Sequence, residues 1–208
     1  MAEVTFLGHG SLKLRTGAGH VIYIDPFMSP EGDSSNVGYE DAADAILVTH
    51  QHYDHTAIDK PAHNLGCVVW QNMDSHPTPD AYLTREFFDG EVVVRATEAY
   101  NAIHKKDECV GYIVKVDGKA IYFSGDTGPT DEMGRLSAEN LDLAFLPTDG
   151  IYTMKAEQAA KCADLIGAKK SVPIHGKPVK PFSEAVATKF VNACKTGVMV
   201  RPGETIRA

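Results

Sequence analysis

Cysteine is scarce and unpatterned. Cys67, Cys109, Cys162 and Cys194 are the only four in 208 residues, and no two stand in a CxxC spacing. That excludes a zinc ribbon and a thioredoxin-like redox pair. A chain of this length buries enough surface to hold together without disulfides, so the four thiols read as reduced core residues. Long apolar runs are absent as well: stretches such as 45–48 and 92–94 fall far short of the roughly 18 residues that cross a bilayer. Positive charge is in deficit, with 20 Lys and Arg against 28 Asp and Glu, for a formal net charge of −8. Such a surface repels phosphate backbones and disfavours non-specific nucleic-acid binding, so an anionic ligand needs a local site. The opening residues 1–8 lack a basic segment followed by an apolar one and read as a first strand rather than a signal peptide, which makes a cytoplasmic location the expectation. There is no internal repeat, low-complexity tract or linker, and one domain spanning 1–208 is expected.

What is present is the composition of a globular domain, 43% apolar and 23% charged. Short β-type runs at 4–8, 11–15, 21–24 and 45–49 are each bounded by Gly, Pro, Asp or Asn. Further runs follow at 68–70, 91–96, 110–116 and 120–124, and Asp117-Gly118 between the last two predicts a hairpin. Residues 26–40 carry no period and form a candidate lid. The second half interleaves strand-like 143–146, 171–174 and 198–200 with two helical patterns. One, over 155–166, sets Ala159, Ala160, Ala163 and Ile166 on a stripe; the other, over 183–194, opens on a Ser cap and spaces Val186, Phe190 and Cys194 by four.

The chemistry concentrates in Thr49-His50-Gln51-His52-Tyr53-Asp54-His55, directly after an apolar strand. Residues i and i+2 at a strand end point to the same side, so His50 and His52 can offer imidazoles to one ion, while the following turn carries Asp54 and His55 elsewhere. Three imidazoles and a carboxylate so close together have no packing rationale in a surface loop. Ser124-Gly125-Asp126-Thr127-Gly128 closes another strand with glycines flanking one carboxylate, an ordinary turn by itself but also the form expected where backbone must approach an ion. His104 and His175 each lie just past a strand-like run, where site residues gather. Together these make five imidazoles and two carboxylates available to a metal pair.

In their order along the chain these motifs resemble the metallo-β-lactamase superfamily: Asp25 before Pro26, the THQHYDH run, His104, the SGDTG turn and the late His175. The opening Thr5-Phe6-Leu7-Gly8-His9-Gly10-Ser11 and the surroundings of Gly111-Tyr112 resemble the branch that includes ascorbate-6-phosphate lactonase and other metal-dependent hydrolases. The resemblance implies an α/β fold, a four-layer αββα sandwich of two mixed β-sheets flanked by helices, with the metals at one edge. It implies that His50, His52 and His104 bind a first ion, that Asp54, His55 and His175 bind a second, and that Asp126 bridges them. Asp54 and Asp126 are the candidate catalytic carboxylates, orienting the attacking water. Asp25 either supports the ligands from behind or forms a turn before Pro26, and His9 either contacts substrate or makes a structural hydrogen bond. Asp149, in Pro147-Thr148-Asp149-Gly150, either partners a ligand or is a solvated loop residue.

The reaction implied is hydrolysis of a small ester, lactone, amide or phosphodiester by water activated on two divalent ions. Zn²⁺ is the first candidate, with Mn²⁺ or Fe²⁺ compatible with the same ligands. Lys105 and Lys106 beside His104, and Lys177 and Lys180 after His175, suggest an anionic small-molecule substrate. The rival readings are an RNA-processing or phosphodiesterase role and a non-catalytic metal-binding scaffold. Glyoxalase II-like thioester hydrolysis fits less well because little chain follows His175, and a diiron redox role because Glu is absent from the metal run.

Overall fold

The computed structural model describes residues 1–29 and 38–208, so the central part of the 26–40 segment lies outside the described residues. The chain forms β1 (Glu3–Gly8), β2 (Ser11–Arg15), β3 (Val21–Ile24), β4 (Ala43–Val48) and β5 (His63–Gln71), then a single helical turn α1 (Asn72–Ser75). It continues through β6 (Thr84–Phe87), β7 (Val92–Glu98), β8 (Val110–Val116), β9 (Lys119–Phe123), β10 (Leu143–Pro147) and α2 (Ala156–Ile166). β11 (Lys170–Ile174), α3 (Glu184–Ala193) and β12 (Thr205–Arg207) complete it. Two six-stranded sheets result, in the orders β12-β1-β2-β3-β4-β5 and β11-β10-β9-β8-β7-β6. Both are mixed: β3, β4 and β5 are parallel in the first and β9, β10 and β11 in the second, and the remaining pairings are antiparallel. This is the expected αββα architecture.

Period-two alternation explains the layers. Tyr112, Val114, Phe123 and Phe145 face inward and meet Phe6, Leu12, Leu14, Ile24 and Leu47 from the first sheet. Their neighbours Ile113, Tyr122, Ala144 and Leu146 face outward and are covered by Ala159, Ala160, Ala163 and Ile166 of α2 and Phe190 of α3. β10 is buried on both faces, as a central parallel strand must be. Losing a side chain such as Phe145 from this core would cost about 3–5 kcal/mol. On the outer face of the first sheet, Tyr23, Ile46 and Val48 pack with Tyr39 and Ile58 from turns and with Leu7 of β1 itself.

The Asp117-Gly118 hairpin forms with both residues left-handed, φ 52° and 71°, the geometry of a two-residue turn matched to strand twist. Three expectations need correction. Residues 198–200 are not a strand: only Gly197 bridges Ser171, and Val200 is buried without joining a ladder, so the apolar run reflects packing rather than pairing. The strand-like run expected to end just before His104 stops at Glu98, after which the chain turns toward the histidine. Ser183 stands at the N-cap of α3 but makes no side-chain capping bond. Among the described residues no helix is long and apolar enough to cross a membrane.

Candidate metal centre

β1 and β7 run parallel to β3 and β9 respectively, because each is separated from it by one antiparallel strand. The strands that share this direction deliver the site: His9 follows β1, Asp25 follows β3, residues 49–55 follow β4, and His104 lies in the loop after β7. Asp126 follows β9, Asp149 follows β10 and His175 follows β11. Loops beyond the carboxyl ends of parallel strands are where an open α/β sheet builds its crevice. The backbone is bent hard here. His9, Asp25, His175 and Val179 adopt φ of 57°, 46°, 47° and 49°. Such residues cost about 1–3 kcal/mol each and cluster where surrounding structure holds them for a purpose. Gly125 is left-handed at φ 60°, and a Cβ there would stand 2.6 Å from the Val110 carbonyl, so glycine is required for Asp126 to project inward. Gly10 is needed for a different reason: a Cβ would meet His55 Cε1 at 2.8 Å.

The histidines form two groups. His50, His52 and His104 have ring centroids 4.7–5.1 Å apart and offer ligand atoms within 4.8 Å of one another. Asp54, His55 and His175, joined by His9, form the second group on the same criterion. Asp126 lies between them: its Oδ2 is 3.6 Å from His55 Nε2, 3.5 Å from His104 Nε2 and 3.2 Å from His175 Nε2. The structure thus brings all seven ligand candidates together.

Outer partners orient the rings. Asp25 accepts from the Thr49 amide at 2.7 Å and the Thr49 hydroxyl at 2.6 Å, and lies 2.9 Å from His55 Nδ1. Thr49 Oγ1 in turn stands 3.0 Å from His50 Nδ1. Asp149 Oδ2 is 2.9 Å from His175 Nδ1, while its Oδ1 accepts the amides of Ile151, Tyr152 and Thr153 at 2.6–3.1 Å. Of its two open readings, Asp149 therefore takes that of a ligand's partner. Asn101, not anticipated from sequence, stands 3.1 Å from His104 Nδ1; its position three residues before the histidine is the only signal that could have drawn attention to it. His9 is fully buried, stacked on Phe27 and tilted against His175, with Nε2 3.0 Å from Asp54 Oδ2. It is covered rather than exposed to substrate, so the hydrogen-bond alternative holds.

The electrostatics divide the imidazoles around an ionised carboxylate: His50 and His104 are held neutral, while His55 and His175 are drawn toward the charged form. Burial, reinforced by neighbouring His55, holds the His50 ring well below the usual histidine range, and burial likewise lowers His104. Burial alone would raise Asp126, but His175 and His55 outweigh it and keep the carboxyl well below its ordinary value. The same competition is reversed at His175, where Asp126 and Asp149 overcome burial and push it up to about 10. His50, His55, His104 and His175 each leave a buried Nε2 with no hydrogen-bond partner among the described residues. Each such orphan costs about 1–3 kcal/mol. Four buried ring nitrogens, three of them within 3.6 Å of one carboxylate, fit divalent cations in place of those missing partners, binding displacing the protons of His55 and His175.

A cavity of about 390 Å³ opens over this cluster. His52, Asp54, His104, Asp126 and His175 make its floor, and Tyr53, Ile103, Tyr152, Pro178 and Val179 its walls. None of the four suggested lysines lines it. Lys105 pairs with Glu108 at 2.6 Å and Lys106 with Glu98 at 2.9 Å, whereas Lys177 is exposed two residues beyond His175. A second cavity of about 450 Å³ reaches His50, His52 and His104 from another side, past Gln51, Asn72 and His76.

Comparison with known proteins agrees with this geometry. The family model of the beta-lactamase superfamily domain matches residues 3–175. The chain is 30% identical over 226 residues to a UPF0173 metal-dependent hydrolase of a Geobacillus species, covering 98% of this chain and 99% of that one. It is also 30% identical over 224 residues to a UPF0173 metal-dependent hydrolase of Thermus thermophilus, covering 100% and 99%. Neither name states a substrate. Among solved structures, a metallo-hydrolase of the archaeon Ignicoccus hospitalis superposes with a TM-score of 0.76 at 24% identity, covering 99% of this chain and 97% of that one, a likeness of fold.

Proposed function

Because the chain belongs to the metallo-β-lactamase superfamily as a metal-dependent hydrolase, we propose that it cleaves a small ester, lactone or phosphodiester over a binuclear site. His50, His52 and His104 would hold one ion, Asp54, His55 and His175 the other, with Asp126 between them. The supporting observation is the set of four buried Nε2 atoms without a hydrogen-bond partner, three of which lie 3.2–3.6 Å from Asp126 Oδ2. Zn²⁺ suits imidazole and carboxylate donors best, and Mn²⁺ or Fe²⁺ are the alternatives. When bound, such ions supply Lewis acidity and lower the pKa of water from 15.7 to about 7, giving a nucleophile without a side-chain base.

The chain's own residues do the rest. His9 Nε2 lies 3.0 Å from Asp54 Oδ2 and so orients the carboxylate. The Asp126 carboxylate, kept ionised, can accept a hydrogen bond from the attacking water and orient it. Hydrolysis of an ester consumes one water, breaks the acyl–oxygen bond and releases an acid and an alcohol. An anionic group projecting out of the cavity would be met by Lys177, exposed two residues beyond His175, since Lys105 and Lys106 are engaged with Glu108 and Glu98. Lys177→Ala is expected to raise KM for anionic but not for neutral esters; equal effects on both would remove that part of the reading.

The test of the whole is metal stoichiometry after purification without chelator, paired with turnover of phosphorylated lactones, phosphodiesters such as bis(p-nitrophenyl) phosphate, and simple esters. Two ions per chain and turnover of one class support the assignment. Fewer than one ion with no turnover would leave a scaffold that keeps the fold.

A further inference from the structure

Exposed apolar side chains gather at the mouth of the metal centre. Tyr53 is 63% exposed, Ile103 50% and Tyr152 48%, and each lines the cavity over the cluster. They come from three different loops, and a fourth contributes Val179. Scattered apolar residues on a surface need no explanation, but a concave cluster rimmed by polar groups marks a binding site. Val179 adds an independent sign: a β-branched residue in the left-handed region is a genuine outlier, and here the strain sets a valine into the cavity wall.

The wall is also tied together. Asn101 Nδ2 donates to the Tyr152 carbonyl at 2.9 Å, joining the loop that carries Ile103 to the loop that carries Tyr152. Asp149 accepts three amides of the second loop while facing His175, so one carboxylate orients a ligand candidate and shapes the wall above it. Among the described residues no lysine or arginine lines this cavity. From this we infer that the non-reacting part of the substrate is an uncharged apolar group, a ring or short chain, held by Tyr53, Ile103, Tyr152 and Val179 while the scissile bond lies over Asp126. The inference rests on the hydrolase reading and sharpens its substrate class: an ester or lactone with an apolar substituent, rather than one bearing a second anionic group at this wall.

Two measurements test it. In the first, the metal-loaded protein hydrolyses p-nitrophenyl acetate, p-nitrophenyl phenylacetate and the hemisuccinate, each rate normalised to its reactivity with hydroxide. Phenylacetate is expected to exceed the other two in kcat/KM by about ten-fold or more, and Ile103→Ala and Tyr152→Ala should each shrink that ratio at least several-fold. In the second, the metal-free protein is titrated with benzyl alcohol while the Ile103 δ1-methyl is followed by ¹³C NMR, with Ile103→Val identifying the signal; a saturable shift is expected. Turnover with a flat ratio, or with the hemisuccinate preferred, overturns the inference, as does absence of turnover with no shift. Absence of turnover with a saturable shift keeps the wall and removes ester hydrolysis instead.

Discussion

The two halves of the histidine cluster are anchored by different chemistry. In the half made by Asp54, His55 and His175, each ligand candidate leans on a titratable partner: His55 on Asp25, His175 on Asp149 and Asp54 on His9, at 2.9–3.0 Å. In the half made by His50, His52 and His104 the partners are neutral, a Thr49 hydroxyl at 3.0 Å and an Asn101 amide oxygen at 3.1 Å. The His52 ring is exposed and has no hydrogen bond among the described residues. A carboxylate behind an imidazole fixes its tautomer and raises its basicity, and partners of this kind are worth 10–100-fold in metal affinity. One half is therefore braced by charged partners and the other by neutral ones, with His52 alone exposed. On the proposed binuclear reading, one ion would be held tightly beside a more exchangeable one.

The largest effect should come from the group that both halves share. Asp126→Ala removes the carboxylate that faces His55, His104 and His175 together, leaving buried imidazoles in mutual contact without that counter-charge. Turnover should fall by about 10²–10³-fold, as when a principal transition-state stabiliser is lost. Metal content should drop in both halves, which elemental analysis would show. Retention of two ions would mean that the halves do not depend on a common bridge.

Chelator titration separates the halves directly. One ion should leave early with little change in stability, and the second only at higher chelator, with most of the fall in Tm. Binding at a hundred times Kd contributes about 2.7 kcal/mol, and each kcal/mol is worth about 2–4 °C in a domain of this size, so a drop of roughly 5–10 °C should accompany the second release. Loss of both ions in one step would show that the difference in anchoring has no thermodynamic consequence.

Asp149→Asn tests the charged half more gently. The replacement keeps an oxygen for the amides of Ile151, Tyr152 and Thr153 but turns an NH₂ donor toward His175 Nδ1. The ring is then driven to carry its proton on Nε2, the nitrogen that faces Asp126, and cannot ligate in that form. Affinity in this half should fall about 10–100-fold, bringing the two release steps of the titration together. Unchanged release would assign Asp149 to loop structure alone.

How much of this could be read from the chain depends on whether the signal is local. The THQHYDH run and the Asp117-Gly118 turn carry their geometry within a few residues, and both sit where the pattern puts them. The strands on either side of that turn, and α2 with its alanine stripe, follow from alternation and helical period for the same reason. β6 and β12 were missed because short edge strands are polar, as an edge must be to resist further pairing, and so lack the apolar signature. Residues 198–200 show the converse, since apolar composition reports burial and says nothing about a ladder partner. Thr49 and Asn101 bond histidines one and three residues away and need only the local turn, whereas the pairing of Asp25 with Thr49 and His55 and the double role of Asp149 depend on which loops meet across the crevice, information that no window of sequence contains. The cavity wall is the extreme case: Tyr53, Ile103, Tyr152 and Val179 come from loops spread along the chain and become one surface only when the strand ends converge.

The smallest expected effect is also the sharpest test of why the halves differ. Asn101→Asp keeps the oxygen that lies against His104 Nδ1 and accepts the amides of Ile103 and His104 at 2.8 and 2.9 Å. It adds a negative charge behind the ring, making the neutral half resemble the charged one. It also deletes the amide donor to the Tyr152 carbonyl, at a cost of about 1 kcal/mol in loop stability. If the charge of the anchor governs ion retention, release of the early ion by chelator should slow several-fold, up to the roughly ten-fold lower bound for partners of this kind, even as the loop loosens. If release is unchanged, retention is limited instead by His52, whose exposed ring has no hydrogen-bond partner among the described residues, and stiffening that side chain rather than charging its neighbour becomes the way to equalise the two halves.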